Sequence, residues 1–174
     1  MFNEERDTNK FSWRDLGDPK EGRPNLGQHC TVLGYRLLQY TLRDELIRQF
    51  DVEKGKEIFQ NAGRRAGEEF CKEILDTSLD FNHFVADLQK KLKDYLIGIL
   101  KIEKADMESL TFTFTVAEDL DCSGLPVSDE TVCEYDEGFI AGILSSYTGK
   151  DFTVKEIDCW ASGDRVCRFS AMVK

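Results

Sequence analysis

The stretch Cys133-Glu-Tyr-Asp-Glu-Gly138-Phe-Ile-Ala-Gly142-Ile-Leu144 decides the reading of this chain, together with Lys155-Glu156-Ile-Asp-Cys159-Trp-Ala-Ser-Gly163-Asp164-Arg-Val-Cys167-Arg-Phe169, which follows a Gly149-Lys150 break. The second segment alternates apolar and polar residues on both sides of Ser162-Gly163-Asp164, the pattern of a β-hairpin closed by a short glycine-containing loop. With that loop as the turn, Cys159 and Cys167 face each other, and opposed residues have Cβ atoms about 4.5–5.5 Å apart. Two thiols so placed can form a disulfide, share a metal or simply pack. A third thiol, Cys133, opens the preceding helix.

A zinc site needs four ligands in tetrahedral array. Three cysteines supply three, and the fourth candidate is Glu156 or Cys122, the latter in the loop leading to the Cys133 helix. Strict strand alternation puts positions 156 and 159 on opposite faces, so Glu156 requires a bulge or strong local twist. The residues alone leave open a metal centre, a cluster of core thiols and a Cys159–Cys167 disulfide. Six cysteines in a sequence whose N-terminus has no apolar secretory segment favour a reducing, cytoplasmic compartment over a disulfide framework.

Upstream, apolar residues recur at helical spacing from Thr31 to Phe50, in a stripe wide enough to suggest burial on more than one side. A second helix runs from Val52 to Leu75 with Asp51 as its N-cap. Within it Gly63 and Gly67 stand one turn apart, which reads as close approach of another backbone or room for a ligand. A third helix over 80–96 turns Phe81, Phe84, Val85, Leu88, Leu92 and Tyr95 inward. Ile99–Lys104 and Leu110–Val116 then alternate with period two, as strands do. Three helices followed by two strand pairs with a helix between them predict an α+β fold, its four-stranded antiparallel sheet covered on one side. Residues 1–28, with Pro19, Gly22, Pro24 and Gly27, read as an extended N-terminal arm held by Phe11 and Trp13, leaving 29–174 as one domain.

The chain has 174 residues, 41% hydrophobic and 32% charged, with a formal charge of -10. That balance opposes direct nucleic-acid binding. The longest apolar run, Tyr95-Leu-Ile-Gly-Ile-Leu100, is far short of the roughly 18–20 residues of a membrane span. His83, between aromatics on the third helix, is a candidate to orient a ligand. Phe84, Phe112, Phe114, Tyr135, Phe139 and Trp160 are candidates for a pocket wall.

Taken together, Cys133 to Gly142, Glu156 to Phe169, Leu42-Arg43-Asp-Glu45-Leu46-Ile47 and the Gly63/Gly67 pair resemble the 4-vinyl-reductase, or hydrocarbon-binding, domain family. That family is similar to the sensory domain of aromatic-responsive bacterial transcription activators. The resemblance spans residues 25–173. It implies zinc held by Cys133, Glu156, Cys159 and Cys167, a pocket for a small apolar or aromatic ligand, and a homodimer. The expected function is a cytoplasmic ligand sensor with a structural zinc, passing its output to a protein in trans. The alternatives are an assembly subunit of related fold and an accessory enzyme of tetrapyrrole or aromatic metabolism. The family's name is not an activity: a reductase needs a hydride source, and the sequence has no Gly-x-Gly-x-x-Gly phosphate turn after a strand.

Overall fold

The computed structural model describes residues 10–174, and the start of the N-terminal arm lies outside them. Two short turns, a 3₁₀ turn at Trp13–Leu16 and α1 at Pro19–Gly22, precede the long helices α2 (Val32–Gln49), α3 (Val52–Ile74) and α4 (Phe81–Asp94). Strands β1 (Ile99–Asp106) and β2 (Thr111–Ala117) follow, then α5 (Glu134–Thr148), β3 (Phe152–Asp158) and β4 (Cys167–Val173). The helix starts follow from capping. Thr31 accepts from Gly34 N–H, Asp51 from Lys54 N–H, and Asp80 from the N–H groups of Asn82 and His83. Gly149, at φ 71°, ends α5 in the left-handed conformation that glycine adopts without strain.

The four strands form one antiparallel sheet in the order β1-β2-β4-β3. The α+β class expected from the sequence is therefore observed. Directly paired residues share a face, so Leu100, Phe112, Phe114, Val116, Cys167, Phe169, Ala171, Val154 and Glu156 all point to the helix-covered side. Every one of them is buried. Glu156 thus occupies a core position, beside Phe169. The outer face carries Arg168, which pairs with Glu103 and Asp158.

Helices α3 and α5 cross at backbone contact, and the glycines make this possible. A Cβ at Gly63 or Gly67 would overlap the carbonyl oxygen of Tyr135 or Phe139, and one at Gly138 or Gly142 that of Gln60 or Arg64. Of the two readings of Gly63 and Gly67, close helix packing is the one observed. Arg64 closes one end of this pair, donating to Asp151 at 2.9 Å and to the Phe152 carbonyl at 2.5 Å. At the other end, Glu134 of α5 receives Arg43 of α2 at 3.3 Å and Lys56 of α3 at 3.5 Å.

Three sequence expectations change in detail. The hairpin loop is longer than the short turn expected: Cys159 to Val166 intervene between β3 and β4 and include a 3₁₀ turn at Trp160–Ser162. Cys159 N–H donates to Ser162 Oγ, and Ser162 Oγ back to the Cys159 carbonyl, so this segment satisfies its polar groups locally. The apolar stripe of α2 is not covered by this chain: Leu33 is 78% exposed, Leu38 69%, and Gln39 is the helix's one buried residue. Its other face binds through polar groups. Tyr35 and Tyr40 hydroxyls donate to Asp121, and Arg36 to the carbonyls of Asp119, Leu120 and Ser123. Trp13, finally, lies edge-on to Phe70 of α3 with ring centroids 6.4 Å apart. The arm is held at this point to its own chain.

Candidate functional site

Cys133 is the N-cap of α5, Cys159 follows β3, Cys167 begins β4, and Cys122 comes from the β2–α5 loop. The fold brings all four together. Their sulfurs lie within 4.8 Å of one another and all four residues are buried. Cys133 Sγ is 3.8 Å from the sulfurs of both Cys159 and Cys167, and Cys122 Sγ is 3.0 Å from Cys167 Sγ. A tetrahedral zinc with Zn–S of about 2.3 Å sets its sulfurs about 3.8 Å apart, the spacing that Cys133 already keeps to two partners. An iron–sulfur cluster would interpose its own sulfide core and spread the thiolates further. All six cysteines are free thiols, so the Cys159–Cys167 disulfide is not formed. A buried cluster of four cysteines can hold a metal.

Loop and strand geometry explain the convergence. Asp119 Oδ1 accepts from Asp121 N–H at 2.8 Å and Cys122 N–H at 3.1 Å, folding the loop back so that Cys122 points inward. The β3–β4 register shifts between Glu156 and Asp158, the irregularity that Glu156 and Cys159 require if both are to reach one centre. Glu156 Oε2 accepts from Cys133 N–H at 3.1 Å, so a strand residue caps α5, while Oε1 is enclosed without a partner. Burial first and Cys159 second push the Glu156 carboxyl up to about 8. Hydrogen bonds from Cys122, Cys133 and Cys167 lower Cys159 below the usual thiol range, whereas contacts with the other three thiols raise Cys133. The four thiols therefore share one readily formed thiolate. Neighbouring cations lie elsewhere. Lys155 pairs with Glu137 at 2.9 Å, and Arg165 lies 5.1 Å over the Trp160 ring.

Beside the thiols, α4, α5 and strands β1 and β2 enclose a narrow cavity of about 30 Å³, measured as the space open to the centre of a water molecule. Its wall is apolar, with Leu88, Leu92, Phe114, Val116, Phe139 and Ile143 among its residues. Asp119 and Asp136 are the two exceptions. Burial and the charge of Asp121 push Asp119 up to about 7. Burial, then Asp119, raises Asp136.

Of the pocket residues named from the sequence, Phe114 and Phe139 line this cavity. Tyr135 stacks on Phe139 with centroids 6.5 Å apart. Phe84 and Phe112 are buried in the adjoining core, where Phe84 stacks on Tyr147 at 3.9 Å and Phe112 on Phe81 at 5.1 Å. Trp160 donates its indole N–H to the Leu125 carbonyl at 3.2 Å. His83 is not brought to the cavity: its side chain is 74% exposed and pairs with Asp80. Sequence reasoning missed Asp119 and Asp136. The signal was present for Asp136, which falls one turn before Phe139 and Ile140 on the same helix face.

Comparison with known proteins agrees with this geometry. The family model of the vinyl-4-reductase domain matches residues 112–172, the stretch from β2 through β4 that holds the four clustered cysteines. The resemblance read from the sequence is thus found independently. Two uncharacterized proteins of Methanocaldococcus jannaschii are similar. MJ1642 is 30% identical over 100 residues, 58% of each chain, and MJ0150 is 24% identical over 117 residues, 67% of this chain and 64% of its own. The matched stretch thus spans less than two thirds of either relative.

Among solved structures, the phenol-responsive sensory domain of the transcription activator PoxR, with phenol, superimposes with a TM-score of 0.65 at 18% identity. That match covers 85% of this chain and 78% of PoxR's. A vinyl-4-reductase family protein from M. jannaschii gives 0.60 at 15%, covering 85% and 84%. Trafficking protein particle complex subunit 3 from Naegleria fowleri, covalently bound to palmitic acid, gives 0.61 at 15%, covering 83% and 97%. At these identities the likeness is one of fold.

Proposed function

We propose that this chain is a small-molecule-binding module of the sensory kind, with its ligand in the cavity between α4, α5 and the sheet. The observation that carries the reading is the cavity's make-up: a closed apolar wall, contributed by three layers of the fold, interrupted by two carboxylates. Ligand sites are concave and mostly apolar, with a few polar groups that fix orientation. That PoxR's sensory domain was solved with phenol, and the trafficking subunit with palmitic acid, supports the same use of this fold. At about 30 Å³ the space is smaller than a drug-sized ligand requires. A small ligand, or one that displaces side chains on entry, is therefore expected.

The four-cysteine cluster is read as a structural zinc centre. Cys133, Cys159 and Cys167 supply three ligands. Cys122, already within the cluster, is the fourth, with Glu156 beside it as the competing candidate. Four protein ligands leave the ion no open position. Its part would be to tie the Cys122 loop, the start of α5 and the hairpin into one wall of the cavity. The uncovered apolar face of α2 is read as the contact with a second copy, joining ligand sites through a helix that already grips the Asp119–Ser123 loop.

Binding is tested on the metal-bound chain with phenol and n-butanol as probes. The expected result is a saturable rise in melting temperature, equivalent to about 1.4 kcal/mol at tenfold excess over Kd. Val116→Phe, which fills the cavity, abolishes it. Failure of both probes to bind the unsubstituted chain would overturn the reading.

A further inference from the structure

The two carboxylates of the cavity have no accounted role. Asp136 lies on the face that α5 gives to the cavity, with Phe139, Ile140 and Ile143 one and two turns further on, so it stands where the stripe calls for an apolar residue. Helix capping does not explain it. As the third residue of α5 it occupies the position from which an acid ordinarily reaches back to the N-cap N–H. Here Glu156, from β3, already accepts from Cys133 N–H. Asp136 Oδ2 is shielded from solvent and has no partner. One carboxylate oxygen of Asp119 lies within 4.8 Å of one from Asp136.

The nearby cations are committed to other groups. Arg43 and Lys56 pair with Glu134, Lys155 pairs with Glu137, and Arg36 donates to three loop carbonyls. An acceptor enclosed without a donor costs free energy that a donor on a ligand recovers. Two carboxylates at this separation disfavour an anionic head and favour a cationic one. An ammonium combines three donors with a positive charge.

We propose that the ligand class of this cavity is a short apolar amine, its hydrocarbon body against Leu88, Leu92, Phe114 and Ile143 and its ammonium donating to Asp136 and Asp119. This rests on the ligand-binding reading above and names the ligand that reading leaves open. The measured space admits about two waters at about 10–15 Å³ each, so the probe is small: n-butylamine, compared with n-butanol and butyrate.

Calorimetric titration of the metal-bound chain near neutral pH is expected to give n-butylamine a Kd at least about tenfold below that of n-butanol, a difference of about 1.4 kcal/mol. Butyrate is expected to give no saturable heat. Asp136→Asn should bring amine and alcohol to within about threefold of each other, with n-butanol affinity, metal content and circular dichroism unchanged. Equal binding of amine and alcohol by the unsubstituted chain, tighter binding of butyrate, or an undiminished amine preference in Asp136→Asn would overturn the amine assignment while leaving ligand binding intact. If neither n-butylamine nor n-butanol binds, both fall together. Should Asp136→Asn not fold, the order of the three probes on the unsubstituted chain decides the matter.

Discussion

At the scale of single residues, the decisive placements are carboxylates in apolar surroundings. Glu156 is 3% exposed, occupies a core-facing strand position and serves as the cap of a helix from another part of the chain. Its cost is desolvation, which holds the carboxyl largely protonated at neutral pH in the metal-free cluster. Its gain is the hydrogen bond to Cys133 N–H, which would otherwise be enclosed without an acceptor. Glu156→Gln keeps an oxygen acceptor and removes the desolvated charge, so its unfolding free energy should stay within about 0.5 kcal/mol of the parent. Glu156→Ala loses the acceptor and should fall by about 1–2 kcal/mol, the range of a lost cap. Urea denaturation of the two variants checks this, and a Gln variant as damaged as the Ala variant would instead make the charge itself essential. Glu156 was legible as a partner of the thiols from its spacing to Cys159. Asp119 was not, because its role depends on a turn that folds the loop back by Asp121 and Cys122 N–H donation, a contact without periodicity in the sequence.

At the scale of elements, the crossing of α3 and α5 sets the geometry of everything beside it. Gly63 and Gly67 meet Gly138 and Gly142 so closely that backbone carbonyls fill the space where side chains would begin. Gly67→Ala gains about 1 kcal/mol in helix propensity but forces the Phe139 backbone aside, and overpacking of this kind costs about 1–3 kcal/mol or more. The net expected outcome is lower stability, and Gly67→Ala with Gly142→Ala should fail to fold cooperatively; a stabilised double variant would contradict the packing. Helix and strand positions were readable because each has its own period and cap. Thr31, Asp51 and Asp80 mark helix starts in the sequence as clearly as in the structure. The hairpin loop was misjudged because alternation persists on both sides of Gly163 although Cys159 to Val166 leave the ladder. The shifted register between Glu156 and Asp158 was inferable only as a condition on the metal site.

At the scale of the whole molecule, one side of α2 grips the Cys122 loop while the other leaves Leu33, Leu37 and Leu38 exposed. Patches of this kind mark interaction surfaces. If two copies meet there, Leu38→Glu should convert a dimer to a monomer in sedimentation without altering thermal unfolding of the monomer. A parent chain that sediments as a monomer at micromolar concentration would remove the dimer. The sequence showed this stripe but assigned it to burial within the chain, since periodicity does not say which surface covers a helix. The thiol cluster joins the loop, α5 and the hairpin, so the account stands most directly on its metal. Elemental analysis of protein purified without chelator should find one zinc per chain. Cys159→Ser should lose that zinc and melt more than about 5 °C lower, as loss of a structural ion that contributes to folding requires. Less than about half an equivalent of any transition metal per chain, with the four clustered thiols reacting as free groups on unfolding, would contradict the account and leave the cysteines as core packing.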